Sequence, residues 1–489
     1  MTQQQIHWRP AVLSIAVGAS LLSACKDPQV DPTSTTSTTT PTGVVTDQEV
    51  NQWTLDSMKT YYYWNDKLPS NPNLGQTPDK FFGSILYKWD KTTRPDGDRF
   101  SWIQKNVDEL KNSLQGIEKT TGFEFNLRLF PSGSQNVVGQ VLYVLPNSPA
   151  ARSGIKRGDI FNGVSGQTMT TGNYQSVLSA LGSGNSETYT FVTADAVNRT
   201  VSNPVTKTLT LEQLSENPVF KDSVYTIGAK KIGYFVYNQF INGPSGFSDL
   251  TYDNQVDAVF ARFKAQGVNE LVLDLRYNPG GSTSASRNLA SLIGKGVGSS
   301  EIFYRQELNS QIMEQYRKAN TIANLQVKFT NKSQNIGANL SRVFVLTSDR
   351  TASASELIIN GLKPFMSVQV VGDTTYGKNV GSITIEDERK PRRINWGLQP
   401  IIAKSFNKLN QSDYTGGFAP DQVVFEPVVL SPLGDIANEP LLRTAIGRIT
   451  GTNTGRIATP QQTNPNVGST LDRKAGGGNM FEPGMPKLK

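Results

Sequence analysis

Residues 343–378, VFVLTSDRTASASELIINGLKPFMSVQVVGDTTYGK, decide how the rest of the chain is read. Positions 343–346 form a short apolar run of β-branched and aromatic residues, the pattern of a buried strand. Ser348, Asp349 and Arg350 break it. From Ser353 the period becomes helical, with Leu357, Ile358, Gly361 and Leu362 on one face, and Pro364 stops the helix. Positions 368–371 read as a second buried strand, and 372–377 as a loop ending on Lys378. A serine at the first turn of a helix, with a lysine delivered from a neighbouring strand, sets a nucleophile beside a base.

The chain of 489 residues has one histidine, His7, and one cysteine, Cys25, both near the N-terminus. The body that follows offers no imidazole and no thiol. That excludes a Ser-His-Asp triad, a Cys-His dyad and a His- or Cys-ligated metal site. No nucleotide or phosphate motif is present, and no metal or cofactor is expected. The remaining base for a serine is a lysine or a carboxylate. A lysine must be neutral to accept a proton. Its pKa must fall from roughly 10.4 to about 7, a change worth about 4 kcal/mol, which burial supplies.

Length allows two to four domains. Net charge is +7, spread along the chain without a dense Lys/Arg run, so nucleic acid is not an expected partner. Residues 1–24 read as an export signal: Arg9 gives a thin positive start, and 11–24 is apolar but too short to span a bilayer. Leu22-Ser23-Ala24-Cys25 resembles the bacterial lipobox, which implies that Cys25 is acylated and holds the protein on a bilayer. The alternative is a plain signal peptide with an incidental cysteine. Lys26 stands where aspartate marks inner-membrane retention, which makes the outer membrane the expected address. Residues 25–45, rich in Thr, Ser and Pro, read as a tether.

Residues 46–116 read as a small helical domain, with Asp47 as the cap of a helix that runs through Val50, Trp53 and Met58. Phe81, Phe82, Ile85, Leu86 and Trp89 mark a second helical face, and the aromatics read as core rather than a stacking surface for ligand. Residues 117–203 carry Ser148-Pro149-Ala150 and Gly154-Ile155 followed by Gly158-Asp159, which resembles the signature of PDZ domains attached to bacterial proteases. By that resemblance Gly122, Phe123, Glu124 and Phe125 form the loop and strand that hold a peptide C-terminus, with 173–181 as the facing helix. The alternative is a module that only spaces domains. In 204–450, strands at 232–236 and 271–275 alternate with helices near 252–266 and 283–293, the pattern of an α/β unit. Asn278-Pro279-Gly280-Gly281 sets two glycines between a strand and a helix, where bare backbone N–H groups can hold an oxyanion, or where a tight turn simply needs positive φ. Residues 301–337 read as a polar insertion, 389–403 as a hairpin continuing from 380–385, and 451–489 as a disordered tail.

In this order, the PDZ-like block, NPGG, TASASE and TYGK resemble peptidase family S41, the C-terminal (tail-specific) processing serine peptidases. The resemblance covers about residues 46–450. It implies a multi-domain protein with an α/β core like the crotonase/ClpP superfold, a β-rich PDZ domain and a small N-terminal helical domain. It implies Ser353 as nucleophile, with Ser355 as the rival, and Lys378 as general base. The implied oxyanion donors are the N–H of Ala354 and of Gly281 or Gly280. Protein or peptide substrates are expected, recruited by their C-termini. Many relatives carry a glutamine four positions after the lysine, where this chain has Ser382. A decayed protease core that only binds peptides, and an acyl-transfer enzyme such as a thioester hydrolase, are the rival readings.

Overall fold

Glu270–Asp274 is buried along its whole length and lies in the middle of a six-stranded sheet. The sheet order is Val219–Ile227, Lys230–Tyr237, Glu270–Asp274, Arg342–Thr347, Ser367–Gly372 and Gln422–Val423, parallel after the first antiparallel pair. Parallel neighbours need crossovers. Thr251–Ala265 precedes the central strand, and Ala354–Leu362 joins Arg342–Thr347 to Ser367–Gly372. Successive side chains leave opposite faces of a strand. Leu271, Leu273, Val343 and Val345 therefore pack under the helices Thr283–Ile293 and Ala354–Leu362, while Val272, Phe344, Leu346 and Val371 pack under Pro440–Thr450. Both faces being covered explains why these strands are unbroken apolar runs in the sequence.

The computed structural model describes residues 43–195, 197–246, 248–452, 465–473 and 480–481. The expected signal, Cys25 and most of the tether lie outside the described residues. Among the described residues, no helix is long and apolar enough to cross a membrane.

A second six-stranded sheet has the order Gly281–Ser282, Met480–Phe481, Val380–Ser382, Ile401–Phe406, Ile302–Leu308 and Gln326–Lys328. Two expectations are corrected by it. The polar insertion at 301–337 supplies two of its strands, and Ile302–Leu308 buries Phe303, Tyr304 and Leu308 against the core. The tail at 451–489 is not wholly disordered: Met480–Phe481 runs between Gly281–Ser282 and Val380–Ser382, parallel to both.

The β-rich unit begins at Ile117 and does not stop at 203. Thr200–Thr210 pairs with Ser186–Asp195 across that expected boundary, and Glu212–Ser215 closes the unit against Ile117–Thr120. Its core is aromatic, with Phe123, Phe125, Phe161, Tyr189 and Phe191 edge to face. Asn466–Ser469, again from the tail, pairs with the edge of Phe123–Leu129. The unit is held to the α/β core by charge as well as packing. Arg157 meets Glu426 at 2.7 Å, and Glu426 also meets the buried Arg276, which pairs with Glu439 and Asp274. Two arginines hold the Glu426 carboxyl at about 2, against the burial that would raise it.

The N-terminal block contains the helices Asp47–Tyr61, Pro78–Ile85 and Val107–Leu114. Thr46, one residue before the expected Asp47, caps the first through its hydroxyl, which accepts the Glu49 N–H, and Asp47 is the first residue inside the helix. The aromatic group is mostly core: Tyr62, Phe81, Phe82 and Ile85 are buried, while Trp89 lies partly exposed. The block is not free of the α/β unit. Trp102–Gln104 pairs with Gly397–Gln399, and its apolar side chains share one cluster with Val380, Leu398 and Ile401.

Candidate functional site

Ser353 lies at the elbow between the strand Arg342–Thr347 and the helix Ala354–Leu362, with φ 62° and ψ −112°. The Ser355 N–H donates to Ala352 O at 3.1 Å, so Ala352–Ser355 is a turn with Ser353 at its second position. Those angles are those of a type II′ turn, where glycine is the comfortable residue. A side chain there costs of order 1–3 kcal/mol and persists only if its surroundings fix it. Two bonds do so: the Ser353 N–H donates to Glu356 Oε2 at 2.8 Å, and the Ala352 N–H to Asn278 O at 3.3 Å. The Ser353 side chain is fully buried, and among the described residues its Oγ has no hydrogen-bond partner. The rival hydroxyl is engaged: Ser355 Oγ donates to Asn278 O at 3.0 Å.

Lys378 follows the loop after Ser367–Gly372 and is fully buried. Burial pulls its amine down to about 7; Asp98 and Glu356 push the other way, and Arg99 assists the burial. Its Nζ sits 4.4 Å from the centre of the Phe100 ring. The Arg99 guanidinium donates to Gly377 O at 2.5 Å and to Thr415 O at 3.2 Å, which fixes the loop entering Lys378. Asp98 accepts the N–H groups of Phe100 and Ser101 and the Tyr62 hydroxyl. The lysine's immediate surroundings therefore include a piece of the N-terminal block. Nothing local in the sequence marked Asp98, Arg99 or Phe100.

Glu356 joins the two elements. Its Oε2 accepts the N–H of Ser353 and of Lys378, and its Oε1 accepts the Thr375 hydroxyl at 2.6 Å and the Gly377 N–H at 2.7 Å. Burial raises its carboxyl to about 7, and these four donors oppose the rise. One of these four bonds reaches the lysine, through its backbone N–H.

The Gly280-Gly281 turn stands beside the same elbow, through Asn278. Gly280 and Gly281 have φ 112° and 131°. A Cβ on Gly281 would lie 2.2 Å from Phe240 O, so only glycine fits. The two glycines are not equivalent: the Gly280 N–H donates to Asn278 Oδ1 at 2.9 Å. The Ala354 N–H, first in its helix, has no acceptor within the helix. Ser382 Oγ donates to Met480 O at 3.2 Å and accepts from Gln399 Nε2 at 3.0 Å. A buried glutamine thus adjoins position 382 from another strand.

In the β-rich unit, Phe123 and Phe125 point into the core, so any peptide contact there is made by backbone. Gly122 has φ 89°, and a Cβ on it would strike Ser148 at 2.1 Å. Glu124 and its neighbours line a cavity of about 840 Å³ that reaches Thr470. Among the described residues, no cluster of three or more His, Cys, Asp or Glu could hold a metal ion.

Residues 231–424 match the profile of Peptidase family S41, and residues 49–102 that of the Peptidase S41 N-terminal domain. The chain is 26% identical over 335 residues to a carboxyl-terminal-processing protease of Picosynechococcus, covering 66% of this chain and 69% of that protein. It is 25% identical over 291 residues to one from Synechocystis, covering 59% of this chain and 60% of that protein. Among solved structures, one described as "Putative S41 protease" from Bacteroides fragilis superposes with a TM-score of 0.65 at 25% identity, over 82% of this chain and 97% of that one. These likenesses define a serine-type peptidase. The chain belongs to peptidase family S41.

Proposed function

We propose that this chain is an endoprotease using a Ser353–Lys378 dyad, on a core of the crotonase/ClpP type. The observation that carries the reading is the burial of Lys378, which brings its amine to about 7 in a body with no imidazole. Neutral Lys378 takes the Ser353 hydroxyl proton as Oγ bonds to the substrate carbonyl carbon. The resulting oxyanion is held by the N–H of Ala354 and of Gly281, since the Gly280 N–H is engaged elsewhere. The tetrahedral adduct collapses, the C–N bond breaks, and Lys378 returns its proton to the leaving amine. Water then attacks the acyl ester, giving its proton to Lys378, and Ser353 is restored.

The β-rich unit reads as a PDZ domain that recruits the C-termini of protein or peptide substrates along Phe123–Leu129, near Gly122. The lipobox-like Cys25 places the protein on a lipid surface in the bacterial envelope, the outer membrane by the Lys26 argument. Substrates would then be envelope proteins.

A fluorophosphonate probe followed by peptide mapping tests the dyad. Modification at Ser353, lost in Lys378→Ala, is expected. A second reading, a decayed core that only binds peptides, has one observation in its favour: among the described residues, Ser353 Oγ makes no hydrogen bond. Catalytic hydrogen bonds are often long before substrate arrives. No modification at Ser353, with peptide bound or absent, would favour the second reading.

A further inference from the structure

The tail pairs with the edge of the β-rich unit and with two strands of the second sheet. Asn466–Ser469 runs antiparallel to Phe123–Leu129, with Ser469 opposite Asn126, Gly468 opposite Leu127 and Asn466 opposite Arg128. The pairing is made by backbone and by two hydroxyls. The Leu129 N–H donates to Pro465 O at 3.2 Å, the Phe125 N–H to Thr470 Oγ1 at 2.9 Å, and Ser469 Oγ to Phe125 O at 3.0 Å. Val467 packs on the unit's core, and Gly468 faces Leu178 and Tyr174 of the helix opposite. The segment therefore occupies the groove between sheet edge and helix, pointing towards the Gly122 turn as an added strand does.

Beyond the groove the tail continues into the body. Leu471 is 2% exposed, in a cluster with Leu142, Tyr143, Tyr277 and Leu430. Asp472 meets Arg350 at 3.1 Å, three residues before Ser353. Met480–Phe481 then lies between the strand that starts at Gly281 and the strand that starts two residues after Lys378. Met480 O accepts from Ser382 Oγ.

We infer that residues 465–473 are a ligand of this chain's own peptide groove, so that a substrate C-terminus binds only by displacing them. The inference rests on the PDZ reading and adds its competitor. The tail is tethered, so its effective concentration at the groove is of order millimolar, and an outside peptide of the same affinity competes poorly. An apolar residue on the core, Val467, then Gly468 and the two hydroxyls of Ser469 and Thr470, also define the class of peptide the groove takes.

The test is the affinity of a fluorescein-labelled peptide PNVGSTLDR for the full chain and for full-length Leu471→Asp, read by anisotropy. The substitution sets an unpaired carboxylate in a buried apolar cluster, so the tail leaves its seat. At least about tenfold tighter binding to the variant is expected. Asp472→Lys, at a half-exposed site beside Arg350, gives the same direction and guards against misfolding of the first. Equal affinities, or binding to neither protein, would overturn the inference. The readout needs no hydrolysis: a protein inert towards all substrates that still shows the affinity difference keeps its self-ligand and loses only the peptidase reading.

Discussion

Ser353 and Lys378 hang from the same atom. Glu356 Oε2 accepts the backbone N–H of each, at 2.8 Å in both cases. One carboxylate in the first turn of a helix thereby fixes the conformation of the elbow serine and the entry of the loop that carries the lysine. Glu356 is a positioning residue in the proposed mechanism, and both of its oxygens are used as acceptors.

Glu356→Gln keeps the size and breaks that arrangement. One amide oxygen can still accept, but the NH₂ group faces donors on the other side. A buried donor left against donors costs about 1–3 kcal/mol, more where the lost partner was charged. Denaturant unfolding should show a loss of about 2–4 kcal/mol, and kcat/KM should fall by more than about 100-fold as the pair loses register. A variant as stable and active as the parent would contradict this role.

The charge on Lys378 sets a pH dependence. The folded amine is depressed to about 7 from its ordinary 10.5. Hydrolysis needs the neutral form, so kcat/KM should rise with pH through about 7 and then level. The stability linkage has the same sign. Between about 7 and 10.5 the unfolded chain binds the extra proton, so this group's stability contribution is complete above 10.5 and is lost as pH falls through about 7. Lys378→Arg should be inactive at every pH, because a guanidinium does not deprotonate in this range.

Phe100 helps keep the lysine dry. Phe100→Ala admits water beside Nζ and removes a ring face worth about 0.5–1 kcal/mol to the cation. Hydration is the larger effect, because burial is the main cause of the depressed amine. The rising limb of the kcat/KM profile should move to higher pH by roughly one unit. An unmoved limb with reduced kcat would assign Phe100 to packing alone.

Strain at Ser353 predicts an asymmetry between two inactive variants. Ser353→Gly relaxes the positive φ, whereas Ser353→Ala keeps it. Ser353→Gly should therefore be more stable than Ser353→Ala by about 1 kcal/mol, despite the usual cost of glycine in the unfolded chain. Thermal melts of the two purified proteins decide it.

The parts of the fold that were legible in the sequence are those whose pattern is local. The strand at Arg342–Thr347, the helix stopped near Pro364 and the strand at Ser367–Gly372 carry their periodicity within a few residues. What escaped is non-local. Trp102–Gln104 meets Gly397–Gln399 from far away in the sequence, so Phe100 reaches Lys378 without any pattern announcing it. Asn466–Ser469 is short and holds one apolar residue, so its pairing with Phe123–Leu129 leaves no periodic pattern to set it apart from a disordered segment. Ile302–Leu308 was hidden by its own polar positions, since Phe303 and Leu308 are buried while Arg305 and Glu307 are not. Within the site, the Gly280 N–H is held by the Asn278 side chain, a contact that no spacing reveals.

Cleavage of an unfolded protein substrate by the full chain, by Ser353→Ala and by Lys378→Ala, all three verified as folded, tests the dyad most directly. The account predicts hydrolysis by the parent and a loss of at least about 1,000-fold in each variant, since nucleophile and base act as a unit. Undiminished cleavage by either variant would contradict it.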